Sequence, residues 1–151
     1  MTVPSESNTI TYTGNNATTV WSYSFEIPEA GNAVVTVTDI TDPDDPVPVV
    51  LTSSQYSITG LGETAGGTVT YPLAGSPLDT NHRITIQSVE AFTQETDLIN
   101  QGGMYPQVVE EALDKLTRLC QQLDEQISRA VLIPVGSEEL DTSEILSAIN
   151  A

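Results

Sequence analysis

A few groups of side chains in this sequence carry reactive chemistry, and their spacing decides what each can do. The single histidine, His82, stands beside Arg83 in Thr80-Asn81-His82-Arg83, at what reads as the start of a strand. An imidazole acts as a general base only when a nucleophile is held against it, and no Gly-x-Ser-x-Gly elbow or similar device occurs here. A lone exposed histidine is ordinarily a solvated one. Asp42, Asp44 and Asp45 offer oxygens to a calcium ion, but Asp42-Pro43-Asp44-Asp45-Pro46 lacks the glycine and closing glutamate of a calcium loop, and its prolines interrupt it. Gly60-x-Gly62 followed by Gly66-Gly67 is not a phosphate loop, because neither a lysine nor a helix follows. Glu110-Glu111 and Glu138-Glu139 are paired acids on a helix start and a tail, and for the first pair the helix dipole is a sufficient explanation. The one cysteine, Cys120, excludes an intrachain disulfide framework and an all-cysteine metal site. These residues predict a chain with no catalytic group, no metal and no cofactor: not an enzyme.

The elements that would position them begin with a β-rich segment. Hydrophobic residues make up 38% of the 151, below an ordinary globular chain, and Thr, Ser, Asn, Gly and Pro fill the difference. That mixture suits short strands and many turns. Residues 1–8 read as a flexible arm. Ile10 and Tyr12 alternate with polar residues; Trp21, Tyr23, Phe25 and Ile27 share one face at period two; Val35 and Val37 share a face of the run Ala33 to Ile40. Strand resumes at Val49 to Leu51 and at Tyr56 and Ile58. Gly66-Gly67 opens a strand at Thr68–Tyr71 and marks a hairpin. Ile84 and Ile86 mark a last strand. About seven short strands at this spacing predict a small antiparallel sandwich or barrel over residues 9–91, here assigned as a sandwich.

Residues 92–106 read as a connector broken by Gly102-Gly103. Residues 107–131 then form the most regular element of the chain, with Pro106 suited to its first turn. From Val109 the apolar positions are Leu113, Leu116, Cys120, Leu123, Ile127 and Ala130, in steps of four, three, four, three, four and three. This is a heptad seam, too narrow for a lone globular core, and it asks for similar helices alongside. Leu113, Cys120 and Ile127 take the a positions; Val109, Leu116, Leu123 and Ala130 take d. Leu119 at g broadens the stripe, which favours three strands over two. The competing reading lays the helix on its own sandwich; the polar spacers Gln121, Gln122, Asp124, Glu125 and Gln126 weigh against it. Cys120, central in the seam, reads as a small buried hydrophobe. Beyond, residues 132–151 form a tail in which Thr142 or Ser143 can cap a short helix, Glu144 to Ala148.

Net charge is −17, from 21 acids and 4 bases. Such a chain is not expected to bind nucleic acid or an anionic membrane, whereas a basic partner would attract it. Three of the four bases, Lys115, Arg118 and Arg129, lie in the helix. No run of eighteen apolar residues occurs, so no transmembrane helix is expected. MTVPSESNT lacks the basic and apolar regions of a secretory signal, and synthesis in a cytoplasm is the expectation.

Several blocks together resemble a known family. Trp21-Ser22-Tyr23-Ser24-Phe25-Glu26-Ile27 and Tyr56-Ser57-Ile58-Thr59-Gly60 carry the weaker part of the likeness. Gln94-x-x-Asp97 and Gln101-Gly102-Gly103-x-Tyr105-Pro106, running into Glu111-Ala112-Leu113-Asp114-x-Leu116, carry the stronger, and Gln121-Gln122-Leu123 and Arg129-Ala130 complete it. These blocks are similar to the N-terminal, virion-anchoring domain of bacteriophage tail fibres and tailspikes of short-tailed phages and prophages. The resemblance implies a β-rich head-binding domain, a homotrimer through the helix, and docking to portal-proximal tail or neck proteins, with a downstream fibre or spike protein as a further partner. Such chains often place a basic residue and a proline after the last strand; here the run is Ser88-Val89-Glu90-Ala91-Phe92. Receptor-binding fibres and spikes also continue for hundreds of residues, so 151 residues alone would hold no shaft or host-binding tip.

The expected whole is a mainly β chain with a C-terminal α-helix: a β-sandwich followed by a trimeric coiled coil, acting as a structural anchor or adaptor in the virion. The amide- and glycine-rich connector, with Gln94, Asp97, Gln101 and Tyr105, is the expected docking surface; packing of those residues against the trimer's own β domains is the alternative. A different class, an adhesin-like module that binds the host surface directly, would show a large exposed aromatic patch.

Overall fold

In the computed structural model the described residues are 7–42, 44–93 and 106–130. They form seven strands, β1 (Thr9–Thr13), β2 (Val20–Tyr23), β3 (Ala33–Asp39), β4 (Val47–Val50), β5 (Ser57–Thr59), β6 (Gly67–Thr70) and β7 (His82–Ser88), followed by one helix, α1 (Pro106–Ser128). All pairings are antiparallel. One sheet runs β1-β7-β3-β4 and the other β2-β6-β5.

The period-two pattern of the sequence is the pattern of burial. In the four-stranded sheet, Ile86 is paired with Ile10 on one side and Val35 on the other, while Ile84 is paired with Tyr12 and Val37. Successive side chains of a strand leave on opposite faces, so these two rows turn inward while Thr85 and Gln87 turn away. The second sheet contributes Trp21 and Ile58, both opposite Val69. Trp21, Tyr23, Phe25, Ile27, Val35, Val37, Leu51, Tyr56, Val69, Ile84 and Ile86 form one buried cluster drawn from both sheets. The ladder of β2 ends at Tyr23, yet Phe25 and Ile27 keep its inward face.

The aromatic residues that enter this core bring polar tips, and the fold pairs each of these tips with a backbone carbonyl. Trp21 Nε1 donates to Tyr71 O (3.0 Å), Tyr23 Oη to Thr59 O (2.6 Å) and Tyr12 Oη to Ser22 O (2.7 Å). The last of these stitches one sheet to the other. The hairpin between β5 and β6 forms where Gly66-Gly67 predicts it. Gly66 holds φ at +82°, and a Cβ there would fall on the Tyr23 carbonyl oxygen.

Several element ends differ from the sequence expectation: β4 runs Val47–Val50 rather than Val49 to Leu51, β6 Gly67–Thr70 rather than Thr68–Tyr71, and β3 stops at Asp39. Asn8, assigned to the flexible arm, is buried: its carbonyl accepts from Ser88 N at 2.8 Å and its side chain donates to Ser88 O at 3.1 Å. That exchange extends the β1–β7 ladder by one residue. The helix starts at Pro106 and ends at Ser128, where Arg129 N and Ala130 N bond the carbonyls of Gln126 and Ile127 and tighten the chain into a turn. Ala130, expected in the seam, therefore sits just past the helix. The tail from residue 131, with its proposed short helix, lies outside the described residues.

Candidate functional site

The helix has two faces, and the β domain takes the polar one. Gln122, at a heptad c position, is only 2% exposed. Its Oε1 accepts from Glu90 N at 2.8 Å, and its Nε2 reaches Glu90 O at 3.4 Å. The amide thus pairs with the backbone beyond β7 much as a neighbouring strand would. Arg118, at f, donates from Nε to Glu90 Oε1 at 2.8 Å and from Nη1 to Glu26 Oε2 at 3.4 Å, with both carboxylates largely buried. One heptad later, Glu125 accepts from Gln87 Nε2 at 3.1 Å and pairs with Arg129. Each charge withdrawn from water here meets an opposite charge or an amide, which is the condition under which burial of polar groups is tolerated.

The opposite face is apolar and uncovered. Leu113, Leu116, Leu123 and Ile127 are 57%, 58%, 43% and 51% exposed, and Cys120 between them is exposed as well. Val109 and Leu119 are half-buried. The helix does lie on its own sandwich, as the competing reading had it, but through Arg118, Gln122 and Glu125 rather than through the heptad stripe. A large aliphatic side chain that goes from water to a packed interface contributes roughly 1.5–3 kcal/mol. Four of them in one stripe form a contiguous exposed apolar surface.

Sequence reasoning placed the apolar stripe and missed the polar one. Gln122 and Glu125 read as polar spacers of a coiled coil, Arg118 only as one of the helix's bases, and Glu90 as a departure from a family pattern. The usable signal was scarcity. A chain with 4 basic residues that keeps 3 of them in or just past one helix has acids elsewhere for them to meet.

The other singled-out residues have structural duties. His82 Nδ1 lies 2.6 Å from Asp79 Oδ1, and the same carboxylate accepts from Asn81 N at 2.9 Å, so the pair closes the turn into β7. Both bonds hold the Asp79 carboxyl below its usual range, the His82 contact more than the backbone one. Asp42 Oδ1 accepts from Asp44 N at 3.1 Å and Asp42 O from Asp45 N at 3.3 Å, a turn built from its own carboxylate. Among the described residues, no three His, Cys, Asp or Glu side chains converge as metal ligands. Glu110 and Glu111 lie beyond the first turn of α1, so the dipole does not account for them; Glu111 instead accepts from Gln107 Nε2 at 3.0 Å. Gln94, Asp97, Gln101 and Tyr105 lie outside the described residues.

No family model matches the chain. A comparison with characterised proteins does find a relative: the sequence is 37% identical, over 134 residues and 89% of its length, to the tail spike protein of Salmonella phage epsilon15. The likeness bears out the resemblance carried by the strand and connector blocks, and it is consistent with a tailspike N-terminal domain. The chain spans about 12% of that relative's length. Among the described residues no helix is long and apolar enough to cross a membrane.

Proposed function

We propose that this chain is a non-catalytic structural anchor of a phage tail fibre or spike, a homotrimer that joins the tail or neck of the virion to the component that follows. Homology to a phage tail spike protein supports the structural role in a phage tail. The observation that carries the finer reading is the arrangement of α1: its polar face is latched to the β domain and its heptad stripe faces outward. Three such stripes meeting on a common axis bury Leu113, Leu116, Cys120, Leu123 and Ile127 together. The β domains then ring the outside of the bundle and present acidic surfaces suited to a basic ring of tail proteins.

The rival reading, an adhesin that grips the host surface itself, calls for exposed aromatics. Trp21, Tyr23, Phe25 and Tyr56 are instead in the core, and among the described residues Phe92 alone is an exposed aromatic, a single ring rather than a patch. Sedimentation equilibrium tests the anchor: the expected mass is three times 16.1 kDa, and a monomer at micromolar concentration sinks it.

A further inference from the structure

Phe92 follows the last strand, and its side chain stands 60% exposed beside the helix. With Thr93, Ala112, Lys115, Leu116 and Leu119 it lines an open groove of about 380 Å³. In heptad terms Ala112 and Leu119 are g residues, Lys115 is c and Leu116 is d. The groove therefore runs along one flank of the apolar stripe and merges with it at Leu116. The other flank is built from the e residues Glu110, Thr117 and Asp124, all exposed. One flank is thus aromatic, aliphatic and basic, and the other is polar and acidic.

We propose that this groove is the seat of a second copy of the chain: Phe92 of one protomer packs against the Thr117–Asp124 flank of the next. The proposal rests on the reading of α1 as a coiled coil, and it goes further by fixing the order and direction of the strands. In parallel coils the g side of one helix meets the e side of its neighbour. That juxtaposition sets Ala112 over Thr117 and Leu119 over Asp124 of the next copy, places Phe92 beside them, and brings Lys115 toward the neighbour's acids. Copies meeting head to tail through the same flank would bring Lys115 against Lys115 and acid against acid, so charge selects the parallel arrangement. Phe92 is carried by the β domain and not by the helix. The contact therefore ties each β domain to the neighbouring helix and sets the rotation of the domains around the axis.

The test places the photo-crosslinking residue p-benzoyl-phenylalanine at position 92 and mixes isotope-labelled with unlabelled chains. Labelled-to-unlabelled crosslinks onto the peptide holding Thr117 and Asp124 are expected. In parallel, Phe92→Ala is expected to weaken self-association by about tenfold or more, and to leave the melting temperature unchanged in a chain made monomeric by Leu116→Asp. Crosslinks confined to one chain, or a Phe92→Ala protein that associates like the parent, overturn the contact while the oligomer stands. A parent chain that sediments as a monomer overturns the coiled-coil reading itself.

Discussion

Arg118 and Glu90 sit 2.8 Å apart, Nε to Oε1, in an ion pair that closes a 28-residue separation and fixes which face of the helix looks outward. Arg118 serves two carboxylates, since Glu26 lies within 3.4 Å of its Nη1. Arg118→Ala removes the shared partner and leaves two largely buried acids facing each other. Loss of a buried ion-pair partner typically costs about 3–5 kcal/mol. The expected result is release of the helix from the β domain while the sandwich stays folded. Hydrogen exchange checks it: amides of Pro106–Ser128 lose protection, and those of β3 and β7 keep theirs. Uniform loss across both would show that the latch supports the whole fold.

Leu123→Asp addresses the other face. In an isolated chain this position is 43% exposed, so the substitution leaves monomer stability nearly unchanged. In an assembled seam each copy buries an unpaired carboxylate, which association does not tolerate. The expected outcome is a folded monomer by sedimentation and circular dichroism. A Leu123→Asp chain that keeps the parent's mass would remove the stripe from the interface. Ile58→Asp is the contrasting control, since that side chain packs on the core and its loss of folding should show in both measurements.

Much of the β domain was legible because its strands obey a local rule. Trp21, Tyr23, Phe25 and Ile27 alternate with polar residues, and a half-buried strand requires that alternation whatever lies opposite. The heptad stripe was legible for the same reason at a different period. The latch was not. Glu26 and Arg118 are 92 residues apart, and a contact between polar groups leaves no periodic mark on either segment. Gln122 shows the limit most clearly. A glutamine amid charged and amide neighbours reads as solvated, yet its amide replaces a strand against Glu90. The helix end was misplaced because Ala130 continues the apolar spacing after the backbone has already tightened into a turn.

Gly66→Ala tests the hairpin. The backbone holds φ at +82°, a region where a Cβ is strained, and the added methyl would meet the Tyr23 carbonyl and the Ser24 Cα. The obstruction is backbone, which cannot swing aside as a side chain would. The expected loss is about 2 kcal/mol or more, the sum of left-handed strain and the displaced β2–β6 pairing. Gly31→Ala, where a Cβ meets nothing within 4 Å, should change stability little. Urea denaturation of the two variants checks the contrast, and equal midpoints would contradict the turn geometry.

Asp79 gives the acid side of the stability curve. Its carboxylate accepts from His82 Nδ1 and from Asn81 N, and both contacts lower its pKa from the ordinary value of 3.8, the His82 bond first. A carboxyl whose folded pKa lies below its unfolded one contributes stability that is fully present above the unfolded value. That contribution fades as pH falls through the folded value. Asp39 behaves alike, lowered by the Thr41 hydroxyl and then by the Thr41 amide. Asp79→Asn keeps an acceptor for the Asn81 amide but removes the titration. The variant should therefore melt below the parent near neutral pH, and the two curves should converge as pH drops below about 4. Melting temperatures followed from neutral pH down through the carboxylate range give the comparison. Parallel curves across that range would mean that the turn into β7 holds its shape without the charge on Asp79.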